Sequence, residues 1–129
     1  MSYLTEIQDT LCNNEKLSQW FTTDKKMIFV SRIPQAYLER RDLTTVLISG
    51  LANSFIRFGG NQSRAREEEI EIKIWYAPNT SFEDLEWSLN ESMESIGFHS
   101  FYYDGPKIDE ETQQYKGVLQ YRRTKFKGE

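Results

Sequence analysis

The chain has 129 residues, with 16 Lys+Arg, 20 Asp+Glu and one His, giving a formal net charge of −4 at pH 7. That length suits one domain with a single core and excludes two domains of ordinary size. An aromatic content of 14% at low net charge excludes a disordered chain, and the acidic balance excludes the basic excess of a free-standing nucleic-acid binder. The apolar fraction is 38%, with 8 Phe, 7 Tyr and 3 Trp. Such a composition points to a small core built from a few large side chains. It also leaves rings for a surface that another subunit covers.

Tyr3, Leu4, Ile7 and Leu11 recur at helical spacing opposite Glu6, Gln8 and Asp9. This spacing predicts an amphipathic helix over about residues 2–13, halted at Asn13-Asn14. Met27 to Val30 reads as a strand, cut short by Pro34, which lacks the N–H that a central ladder needs. Thr44 to Leu51 is a second β-rich run, approached through the charged Glu39-Arg40-Arg41-Asp42. Ala52 to Arg66 has the weakest pattern, with Gly59-Gly60-Asn61 at its centre and Arg57, Arg64 and Arg66 around it. A loop or extended hairpin of this length in a small domain is expected to be functional or disordered.

Glu67 to Tyr76 is the clearest strand. Ile70, Ile72, Ile74 and Tyr76 alternate with Glu69, Glu71, Lys73 and Trp75, the pattern of a sheet with one face on the core. Phe82 to Ile96 is the clearest helix, with Phe82, Leu85, Leu89, Met93 and Ile96 on one stripe. Thr80 with Glu83, or Ser81 with Asp84, offers a capping box, and Gly97 is placed for a left-handed C-cap. A strand from His99 to Tyr103 is expected to end at the turn Asp104-Gly105-Pro106. Tyr115 to Phe126 makes a long, polar-alternating last strand with a basic tail. The order α-β-β-β-α-β-β predicts one α+β domain over residues 1–129. Its sheet is mixed or antiparallel, of about five strands, with two main helices on one face.

The residue types that carry chemistry are sparse. His99 opens a strand and Cys12 lies beside Leu11 in the first helix, so both read as packing residues, and their number excludes a Cys/His zinc site. The runs Glu67-Glu68-Glu69-Glu71 and Asp109-Glu110-Glu111 read as solvated faces, since acid/base work needs carboxylates in unlike environments. Gly59-Gly60 lacks the Lys and the spacing of a phosphate loop. No catalytic, cofactor-binding or metal-ligating residue is therefore expected. One cysteine forms no internal disulfide, and Met-Ser-Tyr-Leu-Thr-Glu has no feature of a signal peptide. No apolar run approaches the roughly 18–20 residues that span a bilayer. The expectation is a cytoplasmic chain without a membrane partner.

Arginines gather at Arg57, Arg64 and Arg66, and a second basic group, Arg122, Arg123, Lys125 and Lys127, alternates with Tyr121 and Phe126. The second group reads first as an edge strand guarded by charge, and otherwise as a surface for passing contact with nucleic acid. At about 100° per residue, Trp87 points almost opposite to the stripe centred on Leu85 and Leu89. Trp75 lies on the charged face of its strand. Either ring could lie flat across its neighbours' stems, or mark a contact with another subunit, where Trp is enriched.

Arg32-Ile33-Pro34-Gln35-Ala36-Tyr37-Leu38-Glu39-Arg40-Arg41-Asp42, followed by the β-run Leu43 to Ser49, resembles a signature of tail-component proteins. That family belongs to long-tailed phages and prophages of Gram-positive bacteria. Glu69-Ile70-Glu71-Ile72-Lys73-Ile74-Trp75-Tyr76, followed by the acidic helix at Glu83 to Glu94, is similar to a second stretch of the same family. The resemblance runs from about Ile33 to Tyr121 and implies a tail terminator or tail-completion subunit. Such subunits form a hexameric ring that caps the tail tube and joins tail to head, an α+β fold with no catalytic residues to carry over. It implies as partners further copies of the chain, the tail tube protein and a head–tail connector protein, with DNA at most passing through the ring. The expected location is the host cytoplasm during assembly and then the virion tail. The candidate interface residues are Phe55, Ile56, Arg57, Phe58, Arg64, Arg66, Trp75 and Trp87. The alternatives are a neck or head–tail joining adaptor that never forms a ring, and a small enzyme with its site on the open face of the sheet.

Overall fold

Ser2 starts the first helix because its hydroxyl accepts from the Thr5 N–H at 3.2 Å, one of the donors a helix leaves unpaired at its start. In this computed structural model, which describes residues 2–21, 27–37, 42–57 and 63–127, helix α1 spans Tyr3–Cys12 and buries Ile7 and Leu11. Of the described segments, the side chains of residues 36, 56, 57 and 63 are excepted. Asn14 caps the short α2, Glu15–Ser18, by accepting from the Leu17 N–H at 3.1 Å, and its amide also donates to the Ser92 hydroxyl. Strand β1, Ile28–Val30, is followed by a 3₁₀ turn, Gln35–Tyr37. Strands β2, Thr45–Arg57, and β3, Ser63–Tyr76, come next, then helix α3, Phe82–Ser95, and strands β4, His99–Ile108, and β5, Tyr115–Phe126.

The five strands form one mixed sheet in the order β1-β2-β3-β5-β4, with β1 parallel to β2 and every other pairing antiparallel. The alternation read in β3 governs the layering. Ile70, Ile72, Ile74 and Tyr76 are buried on one face, level with Val46 and Ile48 of β2 and Leu119 and Tyr121 of β5. Ile7 and Leu11 of α1 and Leu85, Leu89 and Met93 of α3 complete this single core. Each such side chain contributes about 1.5–3 kcal/mol on burial. The other face, with Glu69, Glu71, Lys73 and Trp75, is only half-buried.

Helix α3 begins at Ser81, but the hydroxyl donates to the Asp84 carboxylate at 2.9 Å and caps no backbone N–H. Its end follows the expectation. Gly97 takes φ +90°, and the Gly97 and Phe98 N–H groups close back on the Glu94 and Met93 carbonyls at 3.0 Å each. Among the described residues no helix is long and apolar enough to cross a membrane.

Of the two forms expected for Ala52 to Arg66, the extended hairpin is the one formed over its described length: Phe55 pairs with Arg66 and Arg57 with Ser63. Residues 52–55 and Arg64 are exposed there and Ala65 is buried, so burial imposes little period on the side chains. Three local expectations change. Asp104-Gly105-Pro106 is not a turn. Strand β4 runs through it with an irregular register, which an edge strand tolerates around a proline. Strand β5 is not an edge, because it lies between β3 and β4. Glu68 is not on a solvated face but is 0% exposed, held by Arg123. Phe58 and Gly59-Gly60-Asn61 lie outside the described residues, as do Leu38 to Arg41 of the first resembling segment.

Candidate functional site

Strand register decides which charges are used up inside the molecule. Glu68 stands opposite Arg123, and Glu69 opposite Arg122. The Arg123 guanidinium reaches Glu68 at 2.7 Å and Glu6 of α1 at 2.9 Å, donates to the Ile96 carbonyl at 3.1 Å and covers the Phe98 ring. Burial works against its charge, but the bonds to Glu6 and Glu68 outweigh that and raise its pKa. Arg66 adds a second cation on Glu68 at 2.8 Å. Arg122 pairs with Glu67 at 3.3 Å and Glu69 at 3.2 Å and lies over Phe101. Much of the basic and acidic clustering seen in the sequence thus closes on itself between neighbouring strands.

The two tryptophans off the core stripes separate here. Trp75, half-buried on the open sheet face, donates from its indole N–H to Asp109 at 2.9 Å, with the Lys116 ammonium 5.1 Å from its ring. That donated bond is the main reason the Asp109 carboxyl titrates below its usual range. Trp87 is 62% exposed on the outer face of α3. It borders a groove of about 360 Å³ between α3 and β4, lined by Glu83, Glu86, Trp87, Asn90, Tyr103 and Leu119.

Glu86 fixes the floor of that groove. Its carboxylate accepts from the Tyr76 hydroxyl at 2.5 Å and the Tyr103 hydroxyl at 2.7 Å. Gly117 makes room for this, since a Cβ there would stand 3.1 Å from the Tyr76 hydroxyl and 3.2 Å from the Glu86 carboxylate. Burial, then the bond to Glu86, pushes the Tyr103 phenol up to about 12, so it stays a neutral donor. Phe101, Tyr102 and Tyr103 are all exposed along β4, one of the two sheet edges. These rings were not singled out in the sequence. The run Phe101-Tyr102-Tyr103 held the signal, because three consecutive rings on a strand cannot all face one core.

The remaining candidates collect elsewhere. Phe55, 72% exposed, and Arg64, exposed, sit with Arg66 at the far end of the β2–β3 hairpin, past the start of α1. Ile56 and Arg57 contribute backbone to β2 there, while their side chains lie outside the described residues. The expected interface is therefore three separate places: the hairpin end, the open face at Trp75 and the α3 groove at Trp87. Cys12 packs against the core and His99 is exposed at the start of β4. Among the described residues no group of His, Cys, Asp and Glu side chains could hold a metal ion. Hydrogen-bonding carboxylates, phenols and an exposed indole make the groove a surface suited to recognition. No protein-family model and no curated protein matches this chain.

Proposed function

We propose that this chain is a structural assembly subunit of the tail terminator or tail-completion kind, closing into a ring with copies of itself. The ring caps a tail tube and joins it to a head connector, with DNA passing through its opening. The observation that carries the reading is Trp87, a large ring 62% exposed above a groove whose floor is held by fixed hydrogen bonds. Indoles placed this way are favoured at the buried centre of protein interfaces. Tyr103, exposed on the edge strand β4, belongs to the same surface. A ring needs two unlike patches on each subunit, and the hairpin end and the α3 groove are two such places. The α+β layering agrees with the fold that the resemblance implies.

Light scattering on the purified chain tests self-assembly, with a mass several times that of the monomer as the expected result. Polymerising tail tube protein with and without the chain tests termination. Tubes of limited length are expected in its presence. A monomer at every concentration, with tube length unchanged, overturns the reading.

A further inference from the structure

Two surfaces of opposite charge are left once the internal ion pairs are counted. Helix α3 carries Glu83, Asp84, Glu86, Glu91 and Glu94 and no Lys or Arg. Of these, Glu83 and Glu86 line the groove against β4 beside Trp87, together with the apolar Leu119 and the Tyr103 ring. Glu91 is paired with Lys16 at 3.4 Å, which leaves Glu83, Asp84 and Glu94 exposed without a cation among the described residues. At the far end of the sheet the balance reverses. Arg64 and Lys127 are adjacent through the Lys127 N–H bond to the Arg64 carbonyl at 2.8 Å, and Lys125 lies opposite Arg66. Among the described residues Arg64, Lys125 and Lys127 pair with no carboxylate, whereas Arg66, Arg122 and Arg123 do. Phe55 stands beside them as an exposed apolar ring.

These surfaces cannot meet within one molecule. The groove lies level with Ile72, opposite Leu119, and the basic end lies level with Ala65, opposite Phe126, seven residues further along β3 and about 23 Å away at the usual rise per residue. Each presents what the other lacks: an acidic rim around an aromatic-lined groove, and an aromatic ring flanked by cations.

We infer that the α3/β4 groove receives the basic patch of Phe55, Arg64, Lys125 and Lys127 from a second copy of this chain. This rests on the self-assembly reading and names its two faces. Phe55 of the incoming copy seats against Trp87 and Tyr103, and its Arg64 faces Glu83. Because the two patches differ, each subunit offers one of each, and repetition of the contact closes a ring when the rotation allows. Opposite charge sets the orientation and speeds encounter, so assembly weakens as salt screens the pair.

The test is light scattering on the full chain and on Glu83→Arg, Arg64→Glu and the double variant carrying both. Both sites are exposed, and circular dichroism checks that each variant is folded. Each single reversal is expected to weaken association by about tenfold or more, and the double variant to recover it, because the reversed patches again attract. Phe55→Ser is expected to weaken association without any change of charge. Glu110→Arg, on an exposed acid of the turn before β5, is expected to leave the mass unchanged. If the unmodified chain assembles but the single reversals keep its full mass, or the double variant stays dissociated, this pairing is overturned while the ring reading stands. If the unmodified chain is monomeric, the ring reading fails first and the pairing with it.

Discussion

Trp75 and Trp87 carry the same signal in the sequence, each a large ring on the polar side of a well-patterned element, yet they occupy opposite situations. The Trp75 indole is bonded to Asp109 and lies near the Lys116 ammonium, so its polar and apolar parts are both used within the chain. Trp87 lies 62% exposed over a groove whose own hydrogen bonds run between Glu86 and two tyrosines and do not involve the indole. The charges divide in the same way. Glu68 and Arg123 neutralise one another in the interior, while the acids of α3 and the cations of the hairpin end remain on the surface. Pattern-breaking residues mark a site only where the fold supplies no internal partner.

The largest expected effect breaks the internal side of that comparison. Arg123→Ala leaves Glu68 buried without its main partner and is expected to lower unfolding free energy by about 3–5 kcal/mol, measured by denaturant titration. The double change Glu68→Leu with Arg123→Met removes both charges and is expected to restore most of that loss. A similarly large loss in the double variant would show that the pair itself, rather than an orphaned charge, supplies the stability. On the external side, Trp87→Glu is expected to leave unfolding within about 0.5 kcal/mol of the parent. The same change should weaken self-association by about 30-fold, as expected of a central interface aromatic, in sedimentation or light scattering. Equal losses in both measurements would make Trp87 a folding residue.

Trp75→Phe sharpens the contrast with a smaller number. Loss of the indole N–H is expected to lower stability by about 1 kcal/mol. The smallest effect is on titration. The folded-state pKa of Asp109 lies below its ordinary 3.8, so its contribution to stability is complete above that value and is lost as pH falls through the lower folded one. Trp75→Phe should move the carboxyl titration, followed by carbon NMR, up toward 3.8. An unmoved titration would mean that Thr112 and the Glu111 N–H, which also bond Asp109, hold it alone.

Much of this fold was legible because strong periodicity reflects burial. The stripe of α3, the alternation of β3 and the glycine after Ile96 each record a local rule that the tertiary structure leaves intact. The hairpin arm was legible only as one of two options, since ladder bonds are made by backbone and leave little pattern where most side chains meet water. The interior fate of Glu68 was hidden for a related reason. Four nearby glutamates look alike in a list, and only the pairing of β3 with β5 sets one of them opposite Arg123 beneath α1.

Composition and pattern by themselves determined an acidic α+β domain whose small core leaves aromatic rings over, with Trp87 among them. Local periodicity reaches only as far as neighbours in the chain. The tertiary structure alone decided which charges cancel, that β5 is central and β4 an edge, and that Tyr103, Glu86 and Trp87 share one groove. Those outcomes depend on strand order and register, which join residues far apart in sequence. The same joining leaves the acids of α3 and the cations of the hairpin end on separate surfaces, where a second copy of the chain can bring them together.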